Sequence, residues 1–436
     1  MNNKNEFFNK WIKISLVNFL VVALAGVLLR YKINFPLPGI NYKFLLHAHS
    51  HFAFAGWVTQ VLMTLIVRYL YEQSQSVNFI RYKKIFVANF ITAYGMLFSF
   101  PFQGYALFSI IFSTLSVFVS YFFIAAVWKD LKHVINHGYS KAWFKASLLL
   151  YAISSLGPFF LAYLMANKIS GQELYFGAVY FFLHFQYNGW FLFACLGLFF
   201  HYLQKAGFVN TVMYSRKIFW ILFITCFPAY FLSTMWMQLP VVVRSIATIA
   251  AIVQLISLVY FFGLFTNAKK LLKSKLSSVS ASLWLMVLIA FVIKLLLQCL
   301  STIPSLSQYA FGFRPVVIGY LHLSFLGIIT FFILGYINQY LFLSPKAVYI
   351  FVAGVLITEI TLMLQGFEAI GFNVLPYANY ILFAAAIIMT TGLILIIQKM
   401  NMASLKKKIL PTLFPPDSLF TVQVIPLSVV LYIPLF

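Results

Sequence analysis

The run Leu45-Leu46-His47-Ala48-His49-Ser50-His51-Phe52-Ala53-Phe54-Ala55-Gly56-Trp57 sets three histidines inside a stretch that is otherwise apolar and aromatic. Its second half follows the pattern His-[Phe/Leu]-x-[Phe/Tyr]-x-Gly, from His51 to Gly56. The same pattern returns as His184-Phe185-Gln186-Tyr187-Asn188-Gly189 and again as His322-Leu323-Ser324-Phe325-Leu326-Gly327. The histidines are separated by 133 and 138 residues. Each interval holds four apolar runs, so the chain reads as three repeats of a four-helix unit, roughly 10–130, 140–265 and 280–400. Internal repeats of this kind recur in membrane folds.

Composition supports the same reading. The 436 residues are 63% hydrophobic and only 8% charged, whereas soluble domains carry about 25% charged residues. A chain so poor in charge cannot cover a water-facing surface, which excludes a soluble enzyme, a nucleic-acid binder and a disordered protein. Apolar runs of about 18 residues or more mark membrane helices, and twelve such runs are read between residues 14 and 398. With the N-terminus inside, 23 of the 30 basic residues fall in inner segments. Arg30, Lys32, Lys43, Lys168, Arg244, Lys294 and Arg314 are the remainder. This positive-inside bias accounts for the net charge of +23 without an anionic partner. The expected fold is all-α: a polytopic membrane protein of about 12 transmembrane helices with pseudo-threefold repeats, residues 1–408 forming one domain. Its expected place is a bacterial-type inner (cytoplasmic) membrane, with both termini cytoplasmic. Residues 409–436 are apolar but contain Pro411, Pro415, Pro416, Pro426 and Pro434, so they read as a tail rather than a thirteenth helix. Cys195, Cys226 and Cys299 lie in apolar runs and suggest no disulfide framework.

Ionisable residues inside a membrane are functional candidates. The second, sixth and tenth runs all enter from the same face. His51, His184 and His322 lie about seven to nine residues into them, hence at one depth for a rise of about 1.5 Å per residue. His47 and His51 share a helix face and His49 points nearly opposite, so two faces of the second helix offer ligands. Neutral imidazole suits Fe, Cu and Zn, and no acidic cluster accompanies it, which argues against Ca or Mg. A haem needs axial histidines, an apolar aromatic slot and basic partners for its propionates. Arg30, Lys43 and Arg314 lie on the same side as the motif histidines and close to them in sequence, as propionate partners would. A second reading treats the histidines as hydrogen-bonded interhelical glue. His133 and His137, in a basic cytoplasmic loop, and His201, at an inner helix end, read as solvated. Lys294 and Glu359 share a depth on the ninth and eleventh helices; they read as a snorkelling lysine and a protonated glutamate facing protein, with a buried pair or proton-relay elements as the alternative.

The histidines on the second, sixth and tenth of twelve helices resemble the large subunit of the haem-copper oxidase superfamily, which includes the nitric-oxide reductase large subunit. His47-Ala48-His49 and the His322-x4-Gly327 spacing are also similar to the NnrS proteins. The resemblance covers roughly residues 10–400. It implies a low-spin haem b held between one of His47, His49 or His51 and His322. It also implies a non-haem metal, copper or iron, at His184, with His51, His184 and His322 as the metal-ligand candidates. Asn188 stands where the reductases have glutamate, Tyr320 replaces one histidine of the tenth helix, and the seventh helix lacks the family's histidine pair. These departures imply a haem protein of electron transfer or nitric-oxide chemistry without the usual binuclear centre, and no catalytic residue is assigned. Electrons are expected from a redox partner protein or a quinol. The alternatives are a terminal oxidase or nitric-oxide reductase with a non-standard metal site, and a secondary or metal transporter.

Overall fold

A computed structural model describes residues 2–74, 77–134, 138–368 and 377–413. His137 and residues 414–436, most of the expected tail, lie outside them. Among the described residues there are helices and turns and no strand. In chain order the long helices are α1 (Asn2–Asn34), α2 (Tyr42–Ser74), α3 (Phe79–Gln103), α4 (Leu107–Asp130) and α5 (Ser140–Ala166). Next comes α6, built from Gln172–His184, Phe185–Phe191 and Leu192–Ala206 without a break. Then follow α7 (Thr211–Cys226 with Pro228–Thr234), α8 (Val241–Lys275), α9 (Ser278–Leu300), α10 (Arg314–Ile337), α11 (Pro345–Glu368) and α12 (Ala378–Leu413). The last helix therefore runs past residue 408, where the sequence reading ended the membrane domain.

Ten of these helices are long and apolar enough to cross a membrane, or eleven if the bent α7 counts as one span. The helix of the histidine motif that is left out is α6. Its centre carries His184, Gln186 and Asn188, and these polar residues dilute an otherwise apolar run. The bend of 50° in α7 falls at Phe227, immediately before Pro228, whose ring cannot continue α-helical hydrogen bonding.

Local sequence sets where helices begin. Asn41 caps α2 by accepting from the backbone N–H groups of Lys43 and Phe44 at 2.9 and 3.2 Å. Asn78 does the same for α3 through Arg81 N–H at 3.0 Å. Side-chain oxygens at these positions satisfy N–H groups that the first helical turn leaves free.

A feature that no periodicity announced lies just beyond each motif histidine. The hydrogen bonding of α2, α6 and α10 widens to π-helical at Ala53–Thr59, Phe185–Phe191 and Leu323–Thr330. A π segment inserts a residue into the turn and frees backbone groups, and such segments concentrate at functional sites. In α2 two amides meet the carbonyls of this segment: Asn18 Nδ2 donates to Gly56 O at 2.7 Å and Asn89 Nδ2 to Ala55 O at 3.0 Å.

The three π-bearing helices run parallel and in register. Phe54 of α2 packs on Phe325 of α10 with ring centroids 4.5 Å apart, and both face Phe191 of α6 at 5.5 Å. Farther along, Glu72 of α2 meets Lys205 of α6, and the Arg68 guanidinium lies 3.4 Å over the Tyr340 ring that follows α10. Each π segment also leans on the helix before it. Phe19 of α1 stacks on Trp57 at 4.5 Å, and Tyr151 of α5 stacks on Trp190 at 4.7 Å. At Gly189 a Cβ would stand 2.8 Å from the Leu150 Cβ, so α5 and α6 approach at a distance that only glycine permits.

Candidate functional site

The three histidines of α2 go to two places. His49 turns toward α1, where its Nδ1 meets the Val22 carbonyl at 3.1 Å. Gly26, one turn on, makes room: its Cβ would sit 3.4 Å from His49 Cε1. A carbonyl can only accept, so Nδ1 carries the proton and Nε2 keeps a free lone pair. His322 of α10 lies within electrostatic range of His49 and of Arg30. Its Nδ1 is buried and has no hydrogen-bond partner. Both imidazoles remain partly exposed although they sit mid-bundle. One turn beyond them the Phe54–Phe325 contact closes the gap between α2 and α10.

Arg30 and Arg314 come together around Tyr42. Arg314 Nη2 donates to Tyr42 Oη at 3.3 Å, its guanidinium lies 5.3 Å over that ring, and Arg30 shares the same electrostatic surroundings. Lys43 does not join them. It is exposed at the start of α2, and the nearby charge it presents is felt by His47.

His47 and His51 face α3 instead. His51 stacks on Phe100 at 4.6 Å, its Nε2 meets Tyr105 Oη at 2.8 Å, and His47 meets the Tyr105 ring edge-on at 4.7 Å. Phe100 lies in the last turn of α3 and Tyr105 in the short connection after Gly104, so these two histidines buttress the α3–α4 connection.

His184 is enclosed elsewhere. It is 1% exposed; Nε2 donates to Cys226 O at 2.8 Å and Nδ1 accepts from Asn188 Nδ2 at 3.1 Å. Both ring nitrogens are thus engaged inside the protein. Among the described residues no three His, Cys, Asp or Glu side chains gather as a metal ion would require. His51, His184 and His322 therefore occupy one level along the bundle without converging on one point.

The structure bears on two sequence expectations. Lys294 and Glu359 are not a pair: Lys294 Nζ donates to Gln298 Oε1 at 3.0 Å, and both Glu359 carboxyl oxygens lack a protein partner. Shared depth did not bring them to a shared face. His201 is not solvated either. It is 6% exposed, packs edge-on against Tyr69 at 4.8 Å, and its Nε2 lies 3.8 Å from Glu72 Oε2. Glu72 also accepts from Arg68 Nε at 3.2 Å and from Lys205 Nζ at 2.7 Å. This knot was missed, although Arg68-x3-Glu72 and His201-x3-Lys205 each place two groups on one helix face.

No protein-family model matches the chain, and no curated protein matches it.

Proposed function

We propose that the protein is a twelve-crossing membrane haem protein, similar in plan to the haem-copper oxidase large subunit, with a b-type haem between His49 and His322. The observation that carries this reading is the orphaned, buried Nδ1 of His322 on a ring beside His49, whose own Nδ1 is spent on Val22 O and whose Nε2 is free. A buried polar atom without a partner costs free energy unless something satisfies it. The donor set of two neutral imidazoles, with Phe54 and Phe325 below, suits a flat apolar macrocycle better than a bare ion. Arg30 and Arg314 stand where carboxylates of the group would be neutralised.

Bound there, haem supplies a one-electron couple. Val22 fixes the tautomer of His49 and so the nitrogen presented. The aromatic floor excludes water from the side away from Arg30. In this reading α6 is the sixth of twelve crossings despite its polar centre, the three π-bearing helices mark three repeats, and both termini are cytoplasmic in a bacterial-type inner membrane. The protein moves or senses electrons delivered by a partner protein or quinol. His184, with both nitrogens engaged, is a structural residue in this reading, which disfavours an additional copper or iron centre and hence a terminal reductase.

The test is a reduced-minus-oxidised spectrum with iron analysis of the purified protein. About one haem per chain, lost in His49→Ala and His322→Ala and kept in His51→Ala, is the expected result. Colourless, iron-free protein made under haem-replete conditions would sink the proposal and favour a transporter.

A further inference from the structure

Lys294 stands in the interior of α9, 4% exposed, with an acceptor for only one of its ammonium protons, Gln298 Oε1 at 3.0 Å. Among the described residues no carboxylate pairs with it. An ammonium offers three donors, and a buried charge is held in membrane only when paired. Groups from two other helices stand near it. His184 of α6 and Cys226 of α7 are its electrostatic neighbours. Beside Asn188, which bonds His184, the Tyr187 hydroxyl meets Ser233 and Tyr320, and the two tyrosine rings lie 6.3 Å apart. A second observation is independent of the lysine. Asn188, 7% exposed, spends its amide N–H on His184 Nδ1, while its buried Oδ1 has no partner.

We propose that this interior between α6, α7, α9 and α10 binds a small monovalent inorganic anion, with Lys294 as its counter-charge. The unspent Lys294 N–H groups are donors of the kind an anion needs. Asn188 Oδ1 needs a donor in turn, and a water carried in with the anion supplies one, since polar interior sites with several partners hold water. The small side chains of Cys226 and Ser233 and the neutral His184 leave Lys294 as the dominant charge there. This site is separate from the His49–His322 pair and does not depend on haem.

Gln298→Glu is the decisive variant. It keeps the shape of the side chain that already accepts from Lys294 and places an anion permanently at that contact. The purified full-length protein would be unfolded thermally in chloride, nitrite or azide, with ionic strength held constant by gluconate. We expect the unfolding temperature of the natural protein to rise by a few degrees, saturating with concentration, in at least one of the three anions. The rise should vanish in Gln298→Glu, which should be stable without added anion, and in Lys294→Met. An equal rise in either variant would place the anion elsewhere and overturn the proposal. So would the absence of any rise in all three anions, which would mean that Lys294 is held as a neutral amine. If Lys294→Met fails to fold, Gln298→Glu still decides the question.

Discussion

The indole nitrogen of Trp57 in α2 donates to the hydroxyl of Thr330 in α10 across 3.2 Å. Trp190 in α6 makes the matching bond to Thr59 in α2 across 3.4 Å. In both, the residue six beyond a motif histidine binds the residue eight beyond the next one. At the third interface those positions are Ile328 and Leu192, which line one apolar pocket. Two polar contacts and one shared apolar pocket thus close a ring of three helices.

Thr330→Val should strand the Trp57 donor in the core and cost about 1–3 kcal/mol, the usual penalty for a buried group left unpaired. Trp57→Phe combined with Thr330→Val should cost less than the sum of the single changes. A double-mutant cycle on unfolding in detergent measures this, and strict additivity would mean that the bond contributes nothing.

Among the histidines, His49→Ala and His51→Ala should part company. Loss of His49 should remove haem absorbance. Loss of His51 should leave absorbance intact and lower stability instead, by about 0.5–1.5 kcal/mol, because it removes a stacked ring from Phe100 and the hydrogen bond to the exposed Tyr105 Oη. Equal haem content in the two variants would refute the assignment of His49.

Glu72→Gln should destabilise the protein by about 1–3 kcal/mol, since charge-assisted bonds to buried partners are the strong ones. Lys205→Ala should cost less, about 0–1 kcal/mol, because its side chain is 60% exposed and such pairs are screened by solvent. Denaturation curves of the two variants in one detergent provide the comparison.

Gly189→Ala should be costly out of proportion to a single methyl, about 1–3 kcal/mol of overpacking, and Leu150→Ala on the same chain should recover part of it. Recovery measured as unfolding temperature checks the contact. Rescue by an unrelated cavity, such as Leu198→Ala, would contradict it.

Maleimide should modify Cys299 well before Cys195 and Cys226, which are buried while Cys299 is only partly so. Intact-mass analysis over time reads this directly, and denaturant should release the other two together.

Much of this arrangement was legible in the residues and some was not. Histidines inside apolar runs stand out because burying them needs a reason, so the motif and its parallel register could be read by eye. Which of His47, His49 and His51 faces α10 could not. That depends on how α2 is rotated against Val22 and Gly26, a matter of packing rather than pattern. Depth along a helix is readable and azimuth is not, so the level shared by Lys294 and Glu359 says nothing of whether they meet, and the acceptor of Lys294 is Gln298 on the next turn. His201 near a helix end read as wet, because nothing in α6 alone announces the Tyr69 and Glu72 that cover it. The π segments left no trace in hydrophobic periodicity, since widening the hydrogen-bond register by one residue barely changes which side chains are apolar.

Those π segments each hold one residue more than an α-helix of the same angular sweep. Deleting one residue from 53–59, 185–191 or 323–330 would let α winding close over the gap, and the far half would keep its phase, with Glu72, Lys205 and Tyr340 still at the corner they share. The loss would fall on the segment itself; in α2 its freed carbonyls at Ala55 and Gly56 are held by Asn89 and Asn18. The same deletion in the regular turns on either side would swing the far half by about 100°, so these three helices tolerate the loss of a residue only inside the π segment.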